Sequence, residues 1–174
     1  MKSLLLDTDQ MHATIDKMAR EVVAAAPPDA PLAIVGIRRR GESLAQRMWP
    51  LLERAGRAAD HRGVLDITLY RDDLTTIGPS AVLRGTEIEF DVTNTWLVLV
   101  DDVLYTGRSV RSALDAIIDL GRPKAIKLAV LVDRGWRELP IQPDFVGLTT
   151  ETTADDIVKV KVTEFDDVDQ VELV

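Results

Sequence analysis

The sequence predicts an α/β protein with a central, mainly parallel sheet and helices on both faces. Short apolar runs have the length and composition of strands that are buried on both sides. They are residues 32–36, 96–100 and 125–132. Apolar residues recur at helical spacing in the segments beside them. These segments are residues 11–22, 44–55 and 110–118. Strands that alternate with helices favour a parallel sheet covered by helices.

Length and composition indicate one ordinary domain, residues 1–174, with enough apolar residues for a real core. The chain has no cysteine, which excludes disulfides, thiolate chemistry and cysteine metal sites. With only His12 and His61, a histidine-built zinc site is also close to excluded. No apolar run approaches the ~20 residues of a membrane span, and the apolar start is too short for a signal peptide. We therefore expect a cytoplasmic protein.

The formal charge of −8 is concentrated at the carboxyl-terminal end. Residues 151–174 hold eight acids and two bases, so they carry −6 and residues 1–150 only −2. Nucleic-acid binding usually needs a basic face. The overall balance counts against such binding, while it leaves a local basic patch open.

Three further strands and one long loop complete the sequence-based outline. Residues 64–70 read as a strand, and residues 145–148 and 157–162 read as shorter closing strands. Between them, residues 71–87 form a polar stretch without sustained periodicity, which is long for a connection. Long connections in compact domains are often lids or binding loops, so we expect a flexible loop over the site.

The most informative residues follow the strand at 96–100. Asp101 and Asp102 end a buried strand, and a short loop with Thr106, Gly107 and Ser109 leads into a helix. Ligands of open α/β sheets sit at the carboxyl ends of strands, and a helix N-terminus binds phosphate. Two carboxylates there suit ribose hydroxyls or a magnesium ion. The alternative is a solvated strand–turn–helix joint in which Ser109 only caps the helix.

A second candidate site is the basic loop that follows the strand at 32–36. Arg38, Arg39 and Arg40 stand between Gly36 and Gly41 and lead into a helix. Guanidinium groups pair with phosphate oxygens in fork geometry, so this loop can clamp pyrophosphate. A solvated basic face is the alternative. We expect Arg38 and Arg40 to matter most and Arg39 to point to solvent.

Residues 97–109 resemble the phosphoribosyl pyrophosphate motif of type I phosphoribosyltransferases: four apolar residues, two acids, two apolar residues and a Thr-Gly-basic-Ser loop. Residues 66–74, 100–109 and 128–140 resemble the bifunctional pyrimidine operon regulators with uracil phosphoribosyltransferase activity. The resemblance covers about residues 32–140. It implies the type I phosphoribosyltransferase fold, with a small hood built from the chain ends, and a homodimer or larger assembly.

The resemblance also implies a reaction, in which uracil and phosphoribosyl pyrophosphate give UMP and pyrophosphate with Mg²⁺. It implies catalytic roles for Asp101, Asp102, Arg40 and Arg71. The implied phosphoribosyl pyrophosphate site is Asp101, Asp102, Val103, Leu104, Tyr105, Thr106, Gly107, Arg108 and Ser109. The implied pyrophosphate loop is Arg38, Arg39, Arg40 and Gly41, and the implied base pocket is Val132, Asp133 and Arg134. Asp101, Asp102 and Asp133 are the expected metal contacts, mainly through substrate and water.

The chain departs from the regulatory relatives where these bind RNA. Trp136 stands where they usually have His, and Gln142 where they usually have a basic residue, while Arg134 and Arg137 remain. Three hypotheses follow: a uracil phosphoribosyltransferase, a UMP-sensing RNA-binding attenuator, and a phosphoribosyltransferase for another base such as a purine or orotate. Purine-type relatives usually have an acid in place of Tyr105, which favours a pyrimidine enzyme or a regulator over a purine salvage enzyme. The acidic carboxyl-terminal segment counts against the second.

Overall fold

A five-stranded parallel sheet forms the centre of the computed structural model, which describes residues 3–73 and 85–174. The strand order is β3-β2-β4-β5-β6, and every neighbouring pair is parallel. The strands are β2 (Leu32–Ile37), β3 (His61–Leu65), β4 (Trp96–Leu104), β5 (Ala125–Asp133) and β6 (Phe145–Thr149). The predicted parallel α/β sheet is confirmed.

Helices cover both faces of this sheet, as predicted. They are α1 (Thr8–Ala25), α2 (Arg40–Arg54) and α3 (Arg108–Leu120). One apolar cluster joins α1 and α2 to the sheet through residues such as Met18 and Met48, and the other joins α3 through Ala113 and Ile117. Burial of such side chains contributes about 1.5–3 kcal/mol each for the larger ones, which fixes α2 and α3 against the sheet. Within the described residues, no helix is long and apolar enough to cross a membrane.

The two chain ends form a separate antiparallel sheet, the hood. Its order is β1-β8-β7, from β1 (Ser3–Leu6), β7 (Val158–Lys161) and β8 (Gln170–Leu173). A short helix, α4 (Thr163–Asp166), connects β7 to β8. The predicted hood is confirmed, although the sequence analysis assigned no strand to residues 3–6 or 170–173. Strand β1 pairs only with β8, at the opposite end of the chain, so no local pattern revealed it.

The predicted strand at 64–70 is wrong beyond Leu65. Residues Thr68–Tyr70 form a 3₁₀ turn instead. The Asp66 carboxylate accepts hydrogen bonds from the backbone N–H of Thr68 at 2.9 Å and from its hydroxyl at 2.6 Å. This local bonding offers the backbone an alternative to the sheet. Asp66 is thereby presented at the end of β3.

Two details around the acid pair also differ from expectation. Strand β4 does not end at Asp101 and Asp102 but continues through both to Leu104. Ser109 does not cap α3, because the N-cap residue is Gly107, in the left-handed region with φ of 93°. Of the predicted 71–87 loop, residues 74–84 lie outside the described residues.

Candidate active site

A cleft of about 450 Å³ opens at the carboxyl ends of β2, β3 and β4. It collects residues that are far apart in the chain. Its polar lining consists of Arg38, Arg39, Asp66, Thr68, Arg71, Asp101, Asp102 and Ser109. A second cleft of about 400 Å³ shares Arg71 and Ser109 with it and adds Thr106 and Arg108. The acid pair, the phosphate loop and part of the pyrophosphate loop therefore face one region.

The acid pair is held rigidly by its own backbone. An Asp101 carboxylate oxygen accepts from the N–H of Asp102 at 2.9 Å, and an Asp102 oxygen accepts from the N–H of Val103 at 2.9 Å. Burial raises the pKa of Asp101 well above its ordinary value, and the charge of Asp102 raises this pKa further. Burial also raises the pKa of Asp102, while the charge of Arg40 opposes that shift. Both carboxyls gain from partners that bring hydroxyl donors into the cleft.

The loop between β4 and α3 is built to receive an anion. Its left-handed Gly107 turns the chain so that α3 begins at Arg108. The first N–H groups of a helix lack partners within it, and the helix dipole favours negative charge there. The hydroxyls of Thr106 and Ser109 border the two clefts. Backbone amides and hydroxyls are therefore the donors that this loop offers to an anion.

The side chains of Arg108 and Leu104 are engaged in other contacts. Arg108 donates to Asp72 and to Glu138, each at 2.7 Å, so its charge is already paired. Leu104 is only 1% exposed and packs in the core. Val103, in contrast, lines the first cleft. The structure thus brings the predicted motif together, while it gives Leu104 a packing role.

The basic loop divides its arginines differently from expectation. Arg38 and Arg39 line the cleft, and Arg39 is exposed as predicted. Arg40 is not among the lining residues; one of its terminal nitrogens bonds both carboxylate oxygens of Asp166, at 2.9 and 3.0 Å. The peptide bond between Arg38 and Arg39 is cis. Arg38 and Arg39 therefore line the cleft, while Arg40 is bound by Asp166 and still lies close enough to Asp102 for its charge to act on that carboxyl.

Glycines let this loop pass close to the strands. A Cβ atom at Gly36 would lie 2.5 Å from the Gly41 carbonyl oxygen and from the Cα of Glu42. A Cβ atom at Gly41 would lie 2.5 Å from the Val100 carbonyl oxygen. These distances are shorter than any real contact, so only glycine permits the close approach. The approach places α2 directly over the end of β4.

Asp66 and Thr68 are cleft residues that the sequence analysis did not assign to the site. Asp66 is 8% exposed and accepts a hydrogen bond from the N–H of Gly85 at 3.0 Å. Arg71, the predicted catalytic residue at the start of the loop, lines both clefts and pairs with Asp73 at 2.6 Å. An acid directly after a strand was the available signal for Asp66, but residues 64–70 were read as continuous strand.

The predicted base pocket is only partly brought together. A third cleft of about 500 Å³ is lined by Asp133, Arg134, Trp136 and Arg137, among others. Val132, in contrast, is fully buried and its side chain packs in the core. Asp133 pairs with Arg137 at 2.7 Å, not with Arg134. Strand β5 therefore supplies Asp133 and the residues after it to the cleft.

Arg134 has a structural position in this cleft. It is 6% exposed, donates to the carbonyl oxygens of Asp156 at 2.7 Å and Thr153 at 3.0 Å, and lies over the Tyr105 ring at 4.0 Å. The third cleft and the loop between β4 and α3 thus meet at Tyr105.

The carboxylates fit a magnesium ion held mainly by a substrate. Oxygen ligands suit Mg²⁺, and the ion commonly keeps waters and substrate oxygens. Across residues 3–73 and 85–174, no group of three or more His, Cys, Asp or Glu side chains could hold a metal alone. Asp101 and Asp102 share one cleft, whereas both Asp133 oxygens already accept hydrogen bonds, from Gly135 and Arg137. The acid pair is the better metal contact.

Comparison with known proteins identifies the family. The family model for the phosphoribosyl transferase domain matches residues 3–167. The chain belongs to the phosphoribosyl transferase family. It is 52% identical over 172 residues to the "Bifunctional protein PyrR" of Thermus aquaticus, covering 99% of this chain and 95% of that one. The protein of the same name from Deinococcus radiodurans is 47% identical, with 99% and 94% covered. The chain is therefore a member of the bifunctional PyrR proteins within the family.

Solved structures confirm the type I phosphoribosyltransferase fold. A hypoxanthine-guanine phosphoribosyltransferase from Bacillus anthracis superposes with a TM-score of 0.74 at 16% identity, covering 99% of this chain and 98% of that one. The hypoxanthine phosphoribosyltransferase of Trypanosoma cruzi gives 0.71 at 12% identity, with 98% and 95% covered. At such low sequence identities the similarity shows the fold of a phosphoribosyl transferase, and it does not show which base the protein uses as a substrate.

Proposed function

We propose that the protein transfers the 5-phosphoribosyl group of phosphoribosyl pyrophosphate to uracil. The bond from C1 of ribose to the pyrophosphate oxygen breaks, the bond to N1 of uracil forms, and N1 loses its proton. UMP and pyrophosphate are the products. The observation that supports this most directly is the single cleft that joins Asp101 and Asp102 to Ser109 on one side and to Arg39 on the other.

The residues act by positioning and electrostatics. Asp101 and Asp102 accept hydrogen bonds from the ribose hydroxyls, and the loop from Tyr105 to Ser109 binds the 5′-phosphate. These two contacts fix the ribose between its leaving group and the base, which lowers the entropic part of the barrier. Positive charge develops on the ribose and negative charge on the departing pyrophosphate. Arg38 and Arg39 lie where they stabilise the latter.

Magnesium fits the same arrangement. Asp101 and Asp102 would hold it through the ribose hydroxyls and water, and the bound ion would neutralise charge on the leaving pyrophosphate. Arg71, at the start of the predicted 71–87 loop, borders the cleft.

A steady-state assay with uracil, phosphoribosyl pyrophosphate and Mg²⁺ tests the proposal. We expect pyrophosphate release that depends on uracil. A parallel panel with hypoxanthine, guanine and orotate addresses the alternative of another base. Absence of pyrophosphate release with every pyrimidine would remove the proposed reaction, and faster release with a purine or orotate would replace uracil as the substrate.

A second function, UMP-responsive binding of pyrimidine-gene RNA, is favoured by the word "bifunctional" in the names of the relatives. The acidic segment 151–174 opposes it less than its net charge indicates. Half of its eight acids are in ion pairs: Glu164 and Asp169 with Arg47, Asp166 with Arg40, and Glu172 with Lys161. The partner cations cancel part of the repulsion at a distance, although Glu164 and Asp169 share the one charge of Arg47.

The arginines retained for RNA binding are also committed elsewhere. Arg134 is 6% exposed, and the side chain of Arg137 is 14% exposed and bonds to Asp133. Titration with the leader transcript of its own pyrimidine genes at physiological salt tests the second function. Binding that strengthens with UMP supports it, and micromolar or weaker binding unaffected by UMP counts against it. The homodimer and the cytoplasmic location stay predictions.

A further inference from the structure

Almost every arginine around the clefts is paired with a carboxylate. The ion pairs are Arg38 with Glu42 and Glu87, Arg40 with Asp166, Arg71 with Asp73, Arg108 with Asp72 and Glu138, and Arg137 with Asp133. Arg134 donates to backbone carbonyl oxygens instead. Arg39 differs from all of them. Arg39 lines the cleft and its side chain makes no ion pair with a described carboxylate, so its charge is available to an incoming anion.

The contact that orients Arg39 is an aromatic ring. The guanidinium carbon of Arg39 lies 4.5 Å from the centre of the Phe165 ring. Phe165 belongs to α4 of the hood and is 41% exposed, so packing in the core does not explain its position. A ring face attracts a guanidinium through its quadrupole, and it leaves the positive charge intact. A carboxylate in the same place would neutralise the charge and compete with a phosphate.

The next residue of each segment makes the complementary contact. Asp166 follows Phe165 and binds Arg40, which follows Arg39. Two adjacent hood residues thus receive two adjacent arginines of the pyrophosphate loop, one by a ring and the other by a carboxylate. Arg40 is directed into the hood, and Arg39 is left at the cleft.

The hood segment is itself anchored, so it can serve as a support. Arg47 of α2 bonds to Glu164 at 3.0 Å and to Asp169 at 2.8 Å, on the two sides of Phe165 and Asp166 in the sequence. An oxygen of Asp166 also accepts from the N–H of Val162 at 3.0 Å. The ring therefore holds a defined position relative to α2 and the loop that precedes it.

We propose that Phe165 is a positioning residue for the pyrophosphate site: its ring holds the unpaired Arg39 at the cleft, where Arg39 binds pyrophosphate. This rests on the proposed function in assigning pyrophosphate to this cleft. Phe165 itself does not touch the substrate. Removal of the ring leaves the Arg39 side chain free to rotate. Pyrophosphate binding must then order this side chain, and the entropic cost of that ordering weakens the affinity.

The test is binding of inorganic pyrophosphate with Mg²⁺ by calorimetry, in parallel with steady-state kinetics. Phe165→Ala and Phe165→Leu should each raise the dissociation constant of pyrophosphate about three- to tenfold, because leucine keeps apolar bulk without a ring face. Phe165→Tyr should stay within about twofold of the parent. The KM for phosphoribosyl pyrophosphate should rise with the loss of the ring, and the KM for uracil should not change.

A double-mutant cycle separates positioning from general loosening. In an Arg39→Ala background, Phe165→Ala should have no further effect on pyrophosphate binding, since the group that it positions is gone. Ile157→Ala is the matched control, because Ile157 is an exposed apolar side chain of the same carboxyl-terminal segment and makes no arginine–ring contact. This control should bind pyrophosphate as the parent does.

Three results would overturn the inference. They are unchanged pyrophosphate binding in Phe165→Ala, an equal effect of Phe165→Ala with and without Arg39, and unchanged binding in Arg39→Ala. Failure of the proposed function is recognised separately, by the absence of uracil-dependent pyrophosphate release in the parent. Binding of pyrophosphate does not depend on which base is the substrate, so the cycle is informative in either case.

Discussion

Arg137 connects the third cleft, which is the predicted base pocket, to the loop between β4 and α3. Its terminal nitrogens lie 2.7 Å from a carboxylate oxygen of Asp133 and 3.1 Å from the carbonyl oxygen of Tyr105. Its Nε also donates to the Ile141 carbonyl at 2.8 Å. Since Asp133 ends β5 and Tyr105 follows β4, one side chain fixes the separation of two neighbouring strand ends.

Arg137→Gln should therefore weaken both the fold and nucleotide binding. Loss of its charged hydrogen bonds should cost about 2–3 kcal/mol of the free energy of unfolding, because Asp133 is left partly buried without its partner. Urea denaturation measures this as a lower midpoint at unchanged slope. If UMP spans the third cleft and the phosphate loop as proposed, it should lose more affinity than ribose 5-phosphate, which has no base to place in the third cleft.

Arg111→Gln is the matched control for this prediction. Arg111 pairs with Asp115 one turn along the exposed surface of α3, and such pairs contribute only about 0.2–0.5 kcal/mol. An Arg137 variant no less stable than the Arg111 variant, or equal losses for UMP and ribose 5-phosphate, would contradict the bridging role.

The sequence predicted the site where its residues are contiguous, and it failed where they meet only in the folded chain. Asp101, Thr106 and Gly107 lie within seven residues between a strand and a helix, so spacing alone suggested their chemistry. Phe165 and Arg39 are more than a hundred residues apart, and no local pattern indicates that a ring in the hood stacks on the loop. A similar separation from its partner β8 explains why β1 was not predicted.

The division of the arginines could not be predicted for a related reason. Consecutive residues of a loop point in directions set by the groups around them, and the sequence does not show that Asp166 binds Arg40 while Arg39 lies over Phe165. Residues 66–70 were misread as a strand because Asp66 accepts hydrogen bonds from Thr68. This local bonding forms a turn in place of the hydrogen bonds between strands.

Asp101→Asn should remove activity and stabilise the fold at neutral pH. The pKa of Asp101 is raised in the folded state by burial and then by Asp102, so the folded protein binds the proton more tightly than the unfolded chain. The free energy of unfolding therefore falls as the pH rises from about 4 through the raised pKa. An uncharged asparagine lacks this cost, while it no longer accepts a ribose hydroxyl as a carboxylate does.

Thermal melts of the parent and Asp101→Asn at several pH values provide the measurement. We expect a midpoint about 2–4 °C higher for the variant at pH 8 and a smaller difference at pH 4. We also expect kcat/KM to fall about a hundredfold or more. A variant that melts below the parent at pH 8 would show that the buried charge does not destabilise the fold.

Gly36→Ala should disrupt the pyrophosphate loop through steric overlap. The new methyl group would meet backbone atoms of Gly41 and Glu42, which cannot move aside as a flexible side chain can. We expect a loss of about 1–3 kcal/mol in the free energy of unfolding and a raised KM for phosphoribosyl pyrophosphate. Gly56→Ala is the comparison, because Gly56 has a φ of 110° and open space around it. It should cost about 1 kcal/mol and leave KM unchanged, and equal KM values for the two variants would contradict the steric explanation.

Asp169→Asn tests the joint between hood and body through its dependence on pH. The Asp169 side chain is 5% exposed and bonds to Arg47 at 2.8 Å and to His12 at 2.7 Å. Burial alone would raise its pKa, but these two hydrogen bonds prevail and hold the pKa well below the ordinary value of 3.8. The stabilisation is consequently complete above about pH 4 and is lost as the pH falls through the lowered pKa.

The parent should therefore exceed Asp169→Asn by about 2 kcal/mol in the free energy of unfolding at pH 7, and the difference should shrink steadily below pH 4. Glu151→Gln, at an exposed position of the same acidic segment, should match the parent at every pH. Urea titrations between pH 2 and 7 measure all three proteins. A difference that stays constant down to pH 2 would mean that the Asp169 carboxylate owes its contribution to packing and not to its charge.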